Sequence, residues 1–226
     1  MFDFNKATKN VGGWLTEVEG LFLYNTAKKL KNDQAIVEVG SWKGRSTICL
    51  GSGSRDGNKV KIFAIDPHIG SPRYQKKFGE VDTFKKFQQN ILEAGVTEYV
   101  EPIRDTSKTV AKNFDRKIYF VFIDGAHRYS LVKLDFTLWF PKVMNGGILA
   151  FHDSWHFIGP NLATAIPLLF SSKIKNPKLV DSITYFEKVE RNSLSDRLKN
   201  VVFVFYRTFF GVGGCLKLLF RGRNVI

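Results

Sequence analysis

Tyr119–Trp155 reads YFVFIDGAHRYSLVKLDFTLWFPKVMNGGILAFHDSW, and its pattern of apolar and polar residues indicates the fold class. The apolar run Tyr119–Ile123 is typical of a parallel strand covered on both faces, and Ile148–Phe151 is a second such run. Between these runs, helical spacing predicts one apolar helix face made by Tyr129, Val132, Phe136, Trp139 and Phe140. The pattern therefore predicts two parallel strands joined by a crossover helix.

Both predicted strands end in polar residues. Asp124–His127 follows the first strand, and His152–Trp155 follows the second. The carboxyl ends of parallel strands meet at one edge of a sheet, and open α/β sheets bind their ligands in the crevice outside that edge. We therefore expect the two polar segments to form a catalytic edge.

The rest of the chain also alternates strands with helices. Further apolar runs predict strands at Ala35–Val39, Lys61–Ile65 and Val100–Ile103, and Leu179–Val189 predicts a late antiparallel strand at the sheet edge. The predicted fold class is α/β: a Rossmann-like, doubly wound, mostly parallel sheet with helices on both faces and an antiparallel edge strand.

The predicted domain comprises residues 1–190, with residues 1–34 as an N-terminal helical cover, and residues 191–226 form a basic, apolar C-terminal extension. From Arg197 to Ile226 the chain has six basic residues and no acidic one. The apolar run Val201–Phe220 is interrupted by glycines and charges, so a membrane-spanning helix is rejected. Two interpretations of the extension stay open: peripheral membrane contact through residues 197–226, and a tail that packs on the domain or forms a homo-oligomer.

Charge and cysteine content bear on the binding partners and the cellular location of the protein. The formal net charge is +13, which suits nucleic acid, an anionic membrane or an acidic substrate, and charge alone does not choose among them. Because nothing matches a nucleic-acid-binding module, no nucleic acid partner is expected. Only Cys49 and Cys215 are present and the first residues lack an apolar signal core, which predicts a cytoplasmic location, with any membrane contact at the inner surface.

A glycine-containing turn, Gly40–Thr47, lies between the first predicted strand and the next helix. Such a turn lets a ligand approach bare backbone and unpaired N–H groups. It is not a dinucleotide fingerprint, because Trp42 replaces the second glycine, and it is not a P-loop, because it is one residue short and has Arg45 in place of lysine. Asp66 ends the next strand, where a carboxylate can bind ribose hydroxyls. The combination favours a nucleoside without a diphosphate.

Four segments carry a family resemblance: IVEVGSWKGRST (36–47), IFAIDP (62–67), FVFIDGAH (120–127) and GGILAFHDSW (146–155). They resemble the motifs of the class I S-adenosylmethionine-dependent methyltransferases, and in particular the metal-dependent O-methyltransferases of sugars, macrolide sugars and catechols. The resemblance extends from about Ala35 to Trp155. It implies transfer of a methyl group to a hydroxyl of a small molecule, sugar or glycan.

The resemblance also implies a set of site residues. S-adenosylmethionine would be bound by Glu38, Gly40, Ser41, Gly44, Ser46, Asp66, Asp105, Thr106, Ser107 and Asp124. His127 would be the catalytic base, and Asp124, His152 and Asp153 would hold Mg²⁺ or a similar divalent cation. Such an ion favours loss of a proton from a bound hydroxyl, and a histidine accepts that proton near neutral pH. Acceptor selection is predicted to lie in Ile69–Val81 and Trp155–Pro160.

Two alternatives remain at this point. The cluster of Asp124, His127, His152 and Asp153 suits a metal-dependent hydrolase, but that interpretation leaves the glycine turn and Asp66 without a role. The basic, aromatic tail suits a non-enzymatic protein that binds a membrane surface.

Overall fold

The computed structural model describes residues 2–31, 33–70, 75–76 and 79–220, with side chains as far as residue 209. The helices are α1 Phe4–Ala7, α2 Glu17–Lys29, α3 Arg45–Asp56, α4 Phe84–Glu93, α5 Ser107–Asn113, α6 Tyr129–Trp139, α7 Ile158–Phe170 and α8 Leu194–Phe220. The strands are β1 Ala35–Val39, β2 Lys61–Ile65, β3 Val100–Ile103, β4 Ile118–Ile123, β5 Val143–Phe151, β6 Ile174–Val180 and β7 Ile183–Lys188. Short 3₁₀ turns precede β3 and β5.

The strands form one sheet in the order β3-β2-β1-β4-β5-β7-β6. Neighbouring strands from β3 to β5 are parallel, and β7 runs antiparallel to both β5 and β6. Successive strand residues point to opposite faces, so Ile36 packs into the core layer with α1–α4 while Val37 packs into the layer with α5–α8. The predicted Rossmann-like, doubly wound fold is confirmed.

The end of the sheet differs in detail from the sequence prediction. Leu179–Val189 is not one strand, because β6 ends at Val180 and β7 begins at Ile183. A two-residue turn separates them, and its first residue, Asp181, has a positive φ of 49°. The predicted antiparallel strand exists as β7, and β6 lies outside it. A turn of two residues does not interrupt the sequence pattern visibly when the residues on both sides of it favour a strand.

The strand order brings β1 and β4 side by side, although β2 and β3 lie between them in the chain. This is the point where the winding of the sheet reverses, and such points form the ligand crevice of α/β folds. Gly40, after β1, has a φ of 92°, and a Cβ there would collide with the Asp124 carbonyl oxygen after β4. The bare Cα of Gly40 therefore lets the two strand ends approach closely.

The first part of the C-terminal extension is packed on the domain. Asn200, Val204 and Arg207 of α8 are buried. The Arg207 guanidinium donates to Thr164 Oγ1 in α7 at 2.6 Å and to Thr184 Oγ1 in β7 at 2.9 Å. No helix within the described residues is long and apolar enough to cross a membrane. Residues 221–226 of the predicted extension lie outside the described residues.

Candidate active site

A cavity of about 1180 Å³ lies at the carboxyl edge of the sheet, between the ends of β1, β2, β4 and β5. Its volume exceeds the range of roughly 300–1,000 Å³ that is typical of pockets for a single small ligand. Its walls include ten of the predicted site residues: Gly40, Ser41, Ser46, Asp66, Thr106, Ser107, Asp124, His127, His152 and Asp153. The cavity has room for two ligands, and the strand order brings most of the predicted residues to it.

One side of the cavity, which we name the glycine-turn wall, consists of Gly40, Ser41, Ser46 and Asp66. The Asp66 carboxylate accepts hydrogen bonds from the N–H groups of Trp42 at 2.8 Å and His68 at 2.6 Å. Each carboxylate oxygen has a second lone pair, so Asp66 can hold the turn in place and still bind a ligand hydroxyl.

Trp42, at the position where the dinucleotide fingerprint has its second glycine, has a positive φ of 48°. This left-handed conformation is rare for a bulky side chain. The Trp42 indole lies 6.5 Å from that of Trp14, and both rings line the cavity. The turn thus holds a bulky residue in a backbone conformation that favours glycine and presents its aromatic ring to the cavity.

Glu38 is fully buried beneath the turn and does not line the cavity. Its carboxyl group accepts hydrogen bonds from Ser41 at 2.8 Å and from Ser46 and Thr47 at 2.5 Å. Burial raises the pKa of Glu38 to about 7, although the three hydroxyls act in the opposite direction. Glu38 therefore shapes the turn from below; the contact with Thr47 was not foreseen from the sequence.

The segment after β3 contributes two of its three predicted residues to the cavity. Thr106 and Ser107 line it, and Thr106 also caps α5 by accepting a hydrogen bond from the N–H of Thr109 at 3.2 Å. Asp105 and Gly44 are not among the lining residues. Asp105 instead accepts from the N–H of Thr106 at 2.6 Å. The predicted cofactor roles of Asp105 and Gly44 stay predictions.

The opposite side, which we name the histidine wall, consists of Asp124, His127, His152 and Asp153. His127 Nε2 lies 3.1 Å from Asp153 Oδ2, and His156 Nδ1 lies 3.0 Å from Asp153 Oδ1. Burial opposes the negative charge of Asp153, but the hydrogen bonds from His127 and His156 outweigh it and hold the pKa of this carboxyl well below its usual range. The His127 ring also stacks on Phe157 at 4.3 Å, so His127 is fixed in orientation.

In the second pair of the histidine wall, His152 is buried and Asp124 is partly exposed. His152 Nδ1 lies 3.0 Å from Asp124 Oδ1, and His152 Nε2 lies 3.2 Å from Glu19 Oε2. Burial disfavours a charged imidazole, but the carboxylates of Asp124, Glu19 and Asp153 outweigh that effect and raise the pKa of His152 to about 11. His152 is therefore an imidazolium at neutral pH, with both ring nitrogens engaged by carboxylates.

Glu19 was not foreseen from the sequence. It belongs to α2 and is 1% exposed, and it accepts hydrogen bonds from the N–H of Ser182 at 3.0 Å and from the Ser182 hydroxyl at 2.5 Å. The spacing Thr16-x-x-Glu19 is a capping-box signature, and the structure has that box. The signature predicts where α2 begins, but nothing in it indicates that Glu19 reaches His152.

The N-terminal segment before α2 also forms part of the site. Arg45 donates through Nη1 to the carbonyl of Val11 at 2.7 Å and through Nε to that of Leu15 at 3.2 Å. Gly13, Trp14, Leu15 and Thr16 of this segment line the cavity. Arg45, at the position of the P-loop lysine, therefore holds the N-terminal segment in place as part of the cavity lining. The sequence predicted only a helical cover here.

The predicted metal site finds little support in these contacts. Both nitrogens of His152 are engaged by the carboxylates of Glu19 and Asp124, so this ring has no free lone pair for a metal ion. Within the part of the chain that the structure describes, no group of three or more His, Cys, Asp or Glu side chains is arranged to hold a metal ion. The residues present do not fit a divalent cation held by Asp124, His152 and Asp153.

The family model Methyltransf_24, described as a methyltransferase domain, matches residues 37–154, which run from β1 to just beyond β5. A curated relative, the uncharacterized protein y4gI of Sinorhizobium fredii, is 27% identical over 128 residues, which is 53% of this chain and 13% of that protein. The chain spans about half the length, 52%, of a second curated relative.

Solved structures show the same fold. The O-methyltransferase NovP has a TM-score of 0.62 at 15% identity, over 74% of this chain and 79% of NovP. The O-methyltransferase TomG from Streptomyces achromogenes, in complex with SAM, has a TM-score of 0.57 at 17% identity, over 82% of this chain and 87% of TomG. At these identities the likeness shows the fold alone. The family match covers more than half of the chain, including both walls of the cavity, and the chain belongs to the Methyltransf_24 family of methyltransferase domains.

Proposed function

We propose that this methyltransferase uses S-adenosylmethionine and transfers the methyl group to a hydroxyl of a small molecule, sugar or glycan. The observation that carries the proposal is the His127–Asp153 contact of 3.1 Å in the cavity that also contains the glycine turn and Asp66. A proton acceptor oriented by a carboxylate is what a hydroxyl nucleophile requires. The description of NovP and TomG as O-methyltransferases supports the same reaction class.

The glycine-turn wall is proposed to hold the cofactor. Gly40 brings bare backbone to the cavity beside the Trp42 ring, and the free lone pairs of Asp66 suit ribose hydroxyls. Thr106 and Ser107 would border the adenine. When bound, S-adenosylmethionine supplies an electrophilic methyl group on a sulfonium. Ser41 and Ser46 line this wall, but their hydroxyls donate to Glu38, so we assign them to shaping the turn.

His127 is the proposed base. Its Nε2 faces the ionised Asp153, which favours the tautomer with the proton on Nε2 and leaves Nδ1 to accept the proton of the acceptor hydroxyl. Stacking on Phe157 limits rotation of the ring. Holding base and acceptor in a fixed geometry lowers the barrier by removing the entropic cost of bringing them together.

Metal assistance is not part of this proposal, because the nitrogens of His152 are engaged by Glu19 and Asp124. The acceptor class follows from charge and shape. In the histidine wall the carboxylates of Asp124 and Asp153 outnumber the His152 imidazolium, which disfavours a phosphate or carboxylate there. Aromatic rings such as Trp14 and Phe157 offer apolar faces beside them. An uncharged hydroxyl compound such as a sugar or glycan suits this lining.

Calorimetric titration of S-adenosylmethionine and S-adenosylhomocysteine into the full chain, with Mg²⁺ and then with chelator, tests the proposal. We expect both to bind, with affinity unchanged by chelator. Asp66→Ala should weaken binding by roughly tenfold or more, since a charged group loses its hydrogen bonds to a ligand. Asp115→Ala, which removes an exposed carboxylate elsewhere, is the matched control.

If neither S-adenosylmethionine nor S-adenosylhomocysteine binds to the parent chain, the assignment of the cofactor is wrong. The metal-dependent hydrolase then becomes the leading interpretation. Affinity that depends on Mg²⁺ would instead restore the predicted metal site.

A further inference from the structure

The outer face of α8 is apolar and exposed. Leu198 is 66% exposed, Val202 59% and Phe205 71%. At about 100° per residue, Val202 and Phe205 lie within roughly 40° of Leu198 around the helix. These three side chains therefore form one stripe, which we name the α8 stripe.

The opposite side of α8 is already used by the domain. Asn200, Val204 and Arg207 are buried, and helical spacing puts them roughly 180° to 240° around the axis from Leu198. Asn200 donates to the carbonyl of Ile174 at 2.9 Å in β6, and Arg207 donates to Thr164 and Thr184. Because the inner side is held by these contacts, the α8 stripe is fixed facing away from the domain.

Basic residues flank the stripe on both sides. Arg197 and Lys199 are exposed and lie about 100° to either side of Leu198. After Asp196 the chain has no acidic residue, and its remaining basic residues are Arg207, Lys217, Arg221 and Arg223. An apolar stripe with a basic residue on each side is the pattern of a helix that lies in the interface of a membrane.

A second apolar row lies on the neighbouring helix. Ile158 of α7 is 81% exposed and Phe170 is 74% exposed, and Leu162 and Ile166 between them are also exposed. These residues follow one another at intervals of four, so they share one side of α7. Because α7 packs against α8 through Arg207, two adjoining helices of the same region carry exposed apolar rows.

We propose that the α8 stripe, with Arg197 and Lys199 beside it, docks the enzyme onto an anionic membrane surface. Apolar side chains enter the boundary between headgroups and acyl chains, and the basic residues contact anionic headgroups. A second copy of this chain suits the face less well. A symmetric contact between two α8 stripes would bring basic residues together without acidic partners, since Asp196, the acidic residue of α8, lies roughly 160° around the helix from Leu198. This inference does not depend on the methyl acceptor.

Flotation of the full chain with lipid vesicles tests the proposal. We expect the protein to float with phosphatidylcholine vesicles that contain phosphatidylglycerol, and to float much less with phosphatidylcholine alone. Deleting α8 is a poor variant, because its inner side completes the core around β6. Val202→Gln with Phe205→Gln changes only exposed positions and should lower binding by about tenfold or more. Val18→Gln with Leu92→Gln, two exposed apolar residues on other helices, is the matched control.

A charge variant gives an independent readout if the apolar variant folds poorly. Arg197→Ser with Lys199→Ser should weaken binding to the anionic vesicles, and Lys85→Ser with Lys86→Ser on α4 removes the same charge from another exposed site. Equal loss in both charge variants, or equal flotation of the parent and the Val202/Phe205 variant, would overturn the proposal. It would also be overturned if nothing floats and the Val202/Phe205 variant converts a dimer to a monomer in light scattering, because the stripe would then join two copies of the chain.

Discussion

The two walls of the cavity are built in different ways. Around the glycine-turn wall, the contacts stay within about 25 positions: Glu38, below the turn, accepts from hydroxyls three to nine positions later, and Asp66 accepts from Trp42 across 24 positions. In the histidine wall, the contacts join distant parts of the chain, and His152 meets Glu19 across 133 positions. The first wall is mainly backbone and neutral hydroxyls, whereas the second is a network of imidazoles and carboxylates.

The difference shows that binding a ligand and placing a proton acceptor make different demands on the chain. A turn that cradles a ligand needs certain backbone angles, which a short motif can specify by itself. Placing a proton acceptor requires charges that control its tautomer and orientation, and several elements must supply them. Variants of the histidine wall should therefore change catalysis and stability strongly, and variants of the elements around the glycine turn should change them less.

The largest effect is expected at His127. His127→Ala removes the proposed base while leaving the glycine-turn wall intact, so turnover should fall by roughly 10²–10⁴-fold with cofactor affinity nearly unchanged. Single-turnover rates and calorimetry on the same preparation check both parts. Turnover that survives the substitution would mean that the proton leaves by another route.

The next largest effect concerns the buried link between α2 and β5. Glu19→Ala leaves the His152 imidazolium without one of its buried partners and should lower the free energy of unfolding by about 3 kcal/mol or more. Glu17→Ala, in the first turn of the same helix but exposed, should change it by less than about 0.5 kcal/mol. Urea denaturation of both variants provides the comparison, and equal changes would show that the Glu19–His152 contact adds nothing.

A smaller effect is expected where the glycine turn meets the N-terminal segment. Arg45→Met removes hydrogen bonds to the carbonyls of Val11 and Leu15 and should cost about 2 kcal/mol. Limited proteolysis should then cut the N-terminal segment sooner. Arg55→Met, on the same helix but partly exposed beside Asp56, is the control. Proteolysis at the parent rate would argue against Arg45 as the residue that holds this segment in place.

The most gradual effect is a dependence of stability on pH. Folding raises the pKa of His152 from its ordinary value of 6.5 to about 11, so above pH 6.5 the native state retains a proton that the unfolded chain has lost. The stability due to this proton is complete below pH 6.5 and is lost as the pH rises toward 11.

Between about pH 7.5 and 9.5 the free energy of unfolding should fall by about 1 kcal/mol per pH unit. Glu38, with its pKa raised to about 7, contributes its own loss of stability mainly below this window. His152→Gln should flatten the slope, and an unchanged slope would assign the titration to another group.

Much of the fold and about half of the site follow from sequence patterns. Apolar runs and helical spacing predicted β1 to β5, and the residues at their ends do line one cavity. The prediction was wrong where one run, Leu179–Val189, contained a two-residue turn. It was incomplete at Glu19, because a capping box predicts where a helix begins and says nothing of what its carboxylate meets across the domain.

Side-chain periodicity and backbone preference over a few residues are enough to predict the parallel sheet, the glycine turn and the two polar strand ends. The imidazolium of His152 between Glu19 and Asp124, and the orientation of His127 by Asp153, depend on packing between distant segments and are seen only in the structure. Only the tertiary structure directs the α8 stripe outward. The physical reason is that a buried charge takes its state from all the groups packed around it, and packing brings those groups from distant positions.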